Sequence, residues 1–310
     1  MKRIWIDTDT ASDDAVAILM ALRWPDEEII VEGISTVSGN VSVEECTRNA
    51  LYTVDLCGKQ VPVYQGAGKP FLQEPVFGYF FHGPDGMGGM NYPEPGLQVQ
   101  EQHAVNALID CIRANPNEII LVTLGPLTNI ALALSIAPDL AGKIPMCYVM
   151  GGAAATLGNI TPAAEFNIYV DPEAAKMVFH SGLPLTMVGW ELCRGEANLD
   201  EKDIQDVLSI DTTYAKFTVN CNRQAIQTNR QWLGEPMLPL PDPITMAIAL
   251  DPGICTRKGK YYVTVDVESQ VTRGMTVVDE RGVLEKDANV TVCWQIDVPR
   301  WKEALYKTLR

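Results

Sequence analysis

Short apolar runs rich in β-branched residues recur along the first two thirds of the chain. Between them lie segments whose apolar residues fall at helical spacing. The runs Lys2–Asp7, Ile29–Val37, Val61–Gln65, Glu118–Thr123, Ile144–Met150 and Leu185–Val188 predict strands. Asp13–Trp24, Val43–Leu56, Ala104–Ala114, Leu127–Ala137 and Pro172–His180 predict helices between them. This alternation specifies an α/β fold with a mostly parallel central sheet and helices on both faces. Such open sheets bind ligands beyond the carboxyl ends of their strands, so the segments directly after each strand carry the functional expectation.

The last third changes character. Ile204–Trp232 reads as two helices and Pro243–Leu250 as another. Tyr261–Val267, Met275–Val278 and Val290–Ile296 read as small antiparallel strands, and Pro299–Leu309 as a closing helix. No shift in composition marks a linker, so residues 1–310 read as a single domain. The longest irregular stretch, Gly66–Gln100, is rich in glycine and proline. A loop of that length in a compact protein is usually functional.

Composition narrows the classes. The 310 residues include 39 acidic and 24 basic side chains, a net charge of −15, which argues against a nucleic-acid partner. No apolar run is long enough to span a membrane, and Lys2-Arg3 is followed at once by a short strand and acids rather than a signal-peptide core. The eight cysteines (46, 57, 111, 147, 193, 221, 255 and 293) are scattered without a C-x-x-C pair. They read as reduced, buried residues of a cytoplasmic protein.

The sharpest chemical feature is the run Asp7-Thr8-Asp9-Thr10-Ala11-Ser12-Asp13-Asp14, at the end of the first strand. Ser12 is a good helix N-cap, and Asp13 and Asp14 suit a first helical turn. That does not account for Asp7 and Asp9. Four acids packed together would repel one another, and a hard divalent cation with oxygen ligands removes that cost. An EF-hand loop fails: from Asp7 its sixth and twelfth positions are Ser12 and Ile18, not Gly and Glu. A haloacid-dehalogenase-type phosphatase, D-x-D-x-T, fits Asp7 and Asp9 but meets Ala11 where it needs Thr.

The segment DTDTASDDAVAIL resembles the N-terminal signature of the nucleoside hydrolase family of inosine–uridine-preferring type. Further matching segments follow in order: Ser38-Gly39-Asn40, His82-Gly83 with Asp85-Gly86, Leu124 to Asn129, Met150-Gly151-Gly152, Gly158-Asn159, Ala164 to Asn167, Asp171 to Ala175, Asp242-Pro243, and Thr276 to Asp279 with Arg281-Gly282. The resemblance implies hydrolysis of the N-glycosidic bond of a small-molecule ribonucleoside in nucleoside salvage, with a bound Ca²⁺. It implies Asp9, Asp14 and Asp242 as carboxylate ligands and Leu124 as a backbone-carbonyl ligand. A water and the ribose 2′- and 3′-hydroxyls would complete the shell, with Asp9 as general base. Asp13, Asn40, Asn159, Glu165 and Asn167 would bind ribose, and Glu165 near the 5′-hydroxyl would disfavour nucleotides. Homodimers or homotetramers are the implied assemblies.

The residue types suit that reaction, because an oxocarbenium-like transition state gains more than neutral substrate from a site rich in carboxylates. Glu165 and Asn167 flank Phe166, and strand-like alternation would aim both the same way. Thr128 and Asn129 read as structural, as do His103 and His180. The pattern breaks at one place. The resemblance implies a histidine before the late aspartate, to protonate the departing base, and Pro241 stands there. His82 on the long loop is the remaining histidine that could reach the base, and Trp190 and Trp232 could stack on it. Glu191, Cys193 and Arg223 are further polar candidates near it. Two rival readings stay open: a non-catalytic calcium-dependent nucleoside binder, motivated by Pro241, and a Mg²⁺-dependent phosphatase.

Overall fold

The computed structural model describes residues 1–25 and 28–310. Its strands are β1 (Lys2–Thr8), β2 (Ile29–Thr36), β3 (Val63–Gln65), β4 (Ile119–Thr123), β5 (Met146–Met150), β6 (Leu185–Val188), β7 (Cys255–Val265), β8 (Thr276–Asp279) and β9 (Val290–Ile296). They form one nine-stranded sheet in the order β3-β2-β1-β4-β5-β6-β9-β7-β8. All pairs from β3 to β6 are parallel. The β9 strand departs from expectation: it joins β6 in parallel and pairs β7 antiparallel, so the C-terminal strands extend the main sheet. Among the described residues, the antiparallel strand pairs of the sheet are β7 with β8 and β7 with β9.

Alternation along β1 builds two cores. Ile4 and Ile6 enter one, with the helices Ser12–Arg23, Val43–Leu56 and Pro241–Leu250. Trp5 enters the other, with Ala104–Ala114, Thr128–Ile136 and Pro172–Phe179. Ser12 through Ala21 are all buried, because Ser12–Arg23 is covered on every side. No helix among the described residues is long and apolar enough to cross a membrane.

Several local expectations change. The first helix takes Ala11, not Ser12, as its N-cap. The exposed-looking hydroxyl is instead inside the helix, and the Asp14 carboxylate accepts the Ala11 N–H at 3.0 Å. Ile204–Trp232 is three helices, Glu201–Ser209, Thr213–Cys221 and Arg223–Leu233. Asp211 has φ +59°, and Thr212 caps the second helix through Ala215 N–H at 3.1 Å. The next break is at Asn222, whose amide folds back onto Thr218 O at 2.9 Å. The helix expected from Pro243 starts at Pro241, so Asp242 lies within its first turn rather than capping it. Six cysteines are buried, while Cys111 and Cys255 are half-buried; all eight are free thiols.

Candidate active site

Strand order reverses direction between β1 and β4, because the chain goes outward through β2 and β3 and then returns to the far side of β1. The crevice at such a switch point is where open α/β sheets take ligands. Asp7 pairs with Thr123 across it, so Asp9 and Leu124 emerge side by side. Asn40 follows β2, Glu165 and Asn167 follow β5, and Trp190 follows β6. Asp242 arrives on the Pro241–Leu250 helix, packed on the helix that bears Asp13 and Asp14.

These residues meet at a cavity of about 400 Å³. Asp13, Asn40, His82, Leu124, Asn159, Glu165, Asn167, Trp190 and Asp242 all line it. Asp9 and Asp14 lie beneath its floor, fully buried. Oxygens of Asp13, Asp14 and Asp242 lie within 4.8 Å of one another. Asp9 stands outside that triple, yet the charges of Asp14 and Asp13 reach it. Its Oδ2 accepts the Asn40 N–H at 2.7 Å. A Cβ on Gly39 would fall 2.1 Å from Asp9 Oδ2, and one on Gly125 would fall 2.7 Å from Oδ1. Only glycine fits either wall of this cradle.

Burial pushes the carboxyls of Asp9 and Asp242 well up, and the neighbouring aspartates push in the same direction. Asp13 and Asp14 are raised to about 6, chiefly by burial. Two carboxylates at the separation of this cluster repel by about 3 kcal/mol in a typical protein interior. Among the described residues, Asp9 Oδ1, Asp13 Oδ1 and Asp242 Oδ1 are buried and have no hydrogen-bond partner. Unpaired buried acceptors in that number need compensation, and a hard cation with oxygen ligands supplies it. The donor set therefore fits a metal ion.

The amides and carboxylate expected to bind ribose are held by their own local bonds. Glu165 is the N-cap of a short helix, Phe166–Val170, and accepts N–H groups from Asn167 (2.9 Å), Ile168 (3.2 Å) and Gly152 (2.9 Å). Burial raises it to about 7. Strand alternation is thus the wrong reason for the right outcome: cap and first turn aim Glu165 and Asn167 into one cavity. Asn167 Nδ2 donates to the Leu124 carbonyl at 2.6 Å. Asn159 is exposed at the rim, where its Oδ1 accepts the Phe166 N–H at 2.8 Å. Asn129 is structural as expected: it donates to Asp7 Oδ2 (2.9 Å) and Thr36 O (3.0 Å) and accepts from Ala67 N (2.9 Å), tying three strand ends together. Thr128 bonds Asp171 at 2.7 Å. His103 caps its helix through Val105 N, and His180 bonds Thr264.

The opposite wall comes from the long loop and from Arg223–Leu233. The loop contains a four-residue helix, Tyr79–His82, too short for periodicity to reveal. After it the chain wraps the Asp85 carboxylate, which accepts N–H groups from Met87, Gly89 and Asn91 at 2.7–2.9 Å. Arg223 is not a cavity residue: it clamps this loop through the Gly88 and Gly89 carbonyls. Glu191 and Cys193 also miss the cavity. Glu191 accepts the Ala154 N–H at 3.2 Å, and Cys193 bonds Trp190 O. His82 is buried, with Nδ1 2.8 Å from Ser12 Oγ and 3.7 Å from Asp13 Oδ1. Burial lowers it to about 4, so its ring is neutral at neutral pH. Phe80, Phe81, Phe166, Arg194, Asn198 and Asn229 also line the cavity, and nothing in their sequence spacing marks them.

A family model of inosine-uridine preferring nucleoside hydrolases matches residues 4–303. The pyrimidine-specific ribonucleoside hydrolase RihA of Shewanella sp. (strain ANA-3) is 37% identical over 99% of this chain and 96% of its own. The plant nucleoside hydrolase PpNRh1 superposes with a TM-score of 0.93 at 31% identity, covering 99% of this chain and 98% of that one. The purine-preferring ribonucleoside hydrolase from Gardnerella vaginalis gives 0.89 at 31%, with the same coverage. The chain belongs to the inosine-uridine preferring nucleoside hydrolases and is an N-ribosyl hydrolase that acts on ribonucleosides.

Proposed function

We propose that this protein is a Ca²⁺-dependent ribonucleoside hydrolase whose ion is held by Asp9, Asp14, Asp242 and the Leu124 carbonyl. The observation that carries the reading is the set of partnerless buried oxygens on Asp9, Asp13 and Asp242 at the floor of the cavity. Calcium bound there would offset the carboxylate repulsion, hold vicinal ribose hydroxyls and acidify water. Asp9 is the general base: its Oδ2 is committed to Asn40, so Oδ1 is the oxygen left to face both the ion and the attacking water. Asp13 takes the 2′-hydroxyl. Asn40, Asn159, Glu165 and Asn167 bind the rest of the sugar, and their negative ends favour the positive charge that builds on the ring.

Leaving-group assistance differs from the family pattern. Pro241 lines the cavity and has no proton to give. His82 faces the base from the other wall, and its lowered pKa makes it a neutral hydrogen-bond donor rather than a proton donor. Trp190 and Trp232 flank the base. Relatives of similar identity are named for pyrimidine and for purine bases, so overall identity does not choose between them. The rival reading, a calcium-dependent binder without turnover, rests on Pro241 alone.

Ribose release is to be measured across a panel of purine, pyrimidine and modified nucleosides with calcium present. Turnover of at least one, lost with a calcium chelator and restored by calcium, is the expected result. Calcium-dependent nucleoside binding without any base released over days would establish the binder instead.

A further inference from the structure

Ser12 is buried at the first position of its helix, one residue before Asp13. Among the described residues its hydroxyl has one polar partner, His82 Nδ1 at 2.8 Å. A neutral imidazole carries hydrogen on one nitrogen and a lone pair on the other, so the direction of this bond decides what His82 offers on its far side. If Nδ1 donated to Ser12, the Ser12 hydrogen would be buried with no acceptor. If Ser12 donates to Nδ1, the hydroxyl hydrogen is used and the ring hydrogen sits on Nε2. That nitrogen has no protein partner among the described residues, and His82 lines the cavity. Asp13 Oδ1 would favour the other tautomer, but at 3.7 Å it lies outside hydrogen-bond range while Ser12 lies within it. Counting satisfied groups therefore selects the Nε2–H ring.

We propose that Ser12 is a positioning residue that donates to Nδ1 and fixes His82 as the Nε2–H tautomer, a hydrogen-bond donor aimed at the nucleobase. This rests on His82 facing the base, as read above. The substrates favoured are nucleosides whose base has an acceptor, a ring nitrogen or exocyclic oxygen, close to the glycosidic bond. As the C1′–N bond breaks, its electron pair moves onto the base. The Nε2–H hydrogen bond stabilises that charge without transferring its proton, and the base takes its proton from water afterwards. Pro241 lines the same cavity and has no proton to give, so the orientation of the His82 ring matters to this assistance.

The test is ¹⁵N NMR of the histidine rings in the whole protein, with the His82 signals assigned by their loss in His82→Gln. The expected result is protonated Nε2 and bare Nδ1 in the wild type, retention of that pattern in Ser12→Thr, and loss of it in Ser12→Ala. Kinetics should follow, with kcat lowered about tenfold in Ser12→Ala at nearly unchanged KM and restored in Ser12→Thr. A wild-type ring protonated at Nδ1, or a Ser12→Ala ring identical to wild type, overturns the proposal. The wild-type spectrum decides even if Ser12→Ala does not fold. Because the spectrum needs no turnover, an Nε2–H ring in a protein that hydrolyses no nucleoside would sink the hydrolase reading and leave the Ser12 assignment standing.

Discussion

The two ends of the cavity are built differently. The end that the proposed reading gives to the sugar is made of strand termini at the sheet's switch point: Asp9, Asn40 and Leu124 emerge from β1, β2 and β4, and each is buried and tied to a neighbour. The end it gives to the base draws on the long loop and on Arg223–Leu233, where aromatic residues stand open, with Phe80 52% and Trp232 63% exposed. Their rings lie 6.2 Å apart at the mouth. A rigid floor suits the sugar, common to all ribonucleosides, while an open rim can change without disturbing the floor. Specificity is therefore expected to sit in the rim and catalytic power in the floor.

Substitutions graded from floor to rim test this contrast. Asp9→Ala removes the proposed base and ion ligand together, and should lower kcat/KM by about 10³-fold or more with the fold intact by circular dichroism. His82→Gln should cost about 10- to 100-fold in kcat, read in steady-state kinetics on the preferred nucleoside. Trp232→Ala should act on KM alone, raising it about tenfold, since stacking on a base contributes about 1–3 kcal/mol. A kcat loss there equal to that of Asp9→Ala would erase the distinction between the two ends. The smallest effect is on pH dependence. His82 is pushed down to about 4, so its charged form predominates only below that pH. From pH 5 to 8 the kcat/KM profiles of wild type and His82→Gln should thus differ by a constant factor. A bend near pH 6.5 present only in the wild type would show a titrating ring instead.

The same contrast explains what the amino-acid order discloses. The floor is legible because its chemistry is local: Asp7 to Asp14 cluster after an apolar strand, and the glycines of Ser38-Gly39-Asn40 and Leu124-Gly125 sit against Asp9 for steric reasons. The strand–helix alternation fixes β1 to β6 for the same reason. Features set by distant partners are hidden. Ser12 reads as a cap, and only the approach of a residue 70 positions away makes it a histidine's partner. Arg223 reads as a polar site candidate, yet its role is to hold the Gly88 and Gly89 carbonyls. The parallel edge of β9 depends likewise on contacts no window of sequence contains. Phe80, Asn198 and Asn229 reach the cavity without any periodic signal.

Asp242 belongs to the last quarter of the polypeptide, and its partners Asp13 and Asp14 to the first few turns of chain made at the ribosome. A nascent or truncated form lacking the later segment would carry the N-terminal acids with no means of closing a cage around them. Metal capture thereby requires both segments: the ion stabilises only a molecule in which residues 13–14 and 242 have already met.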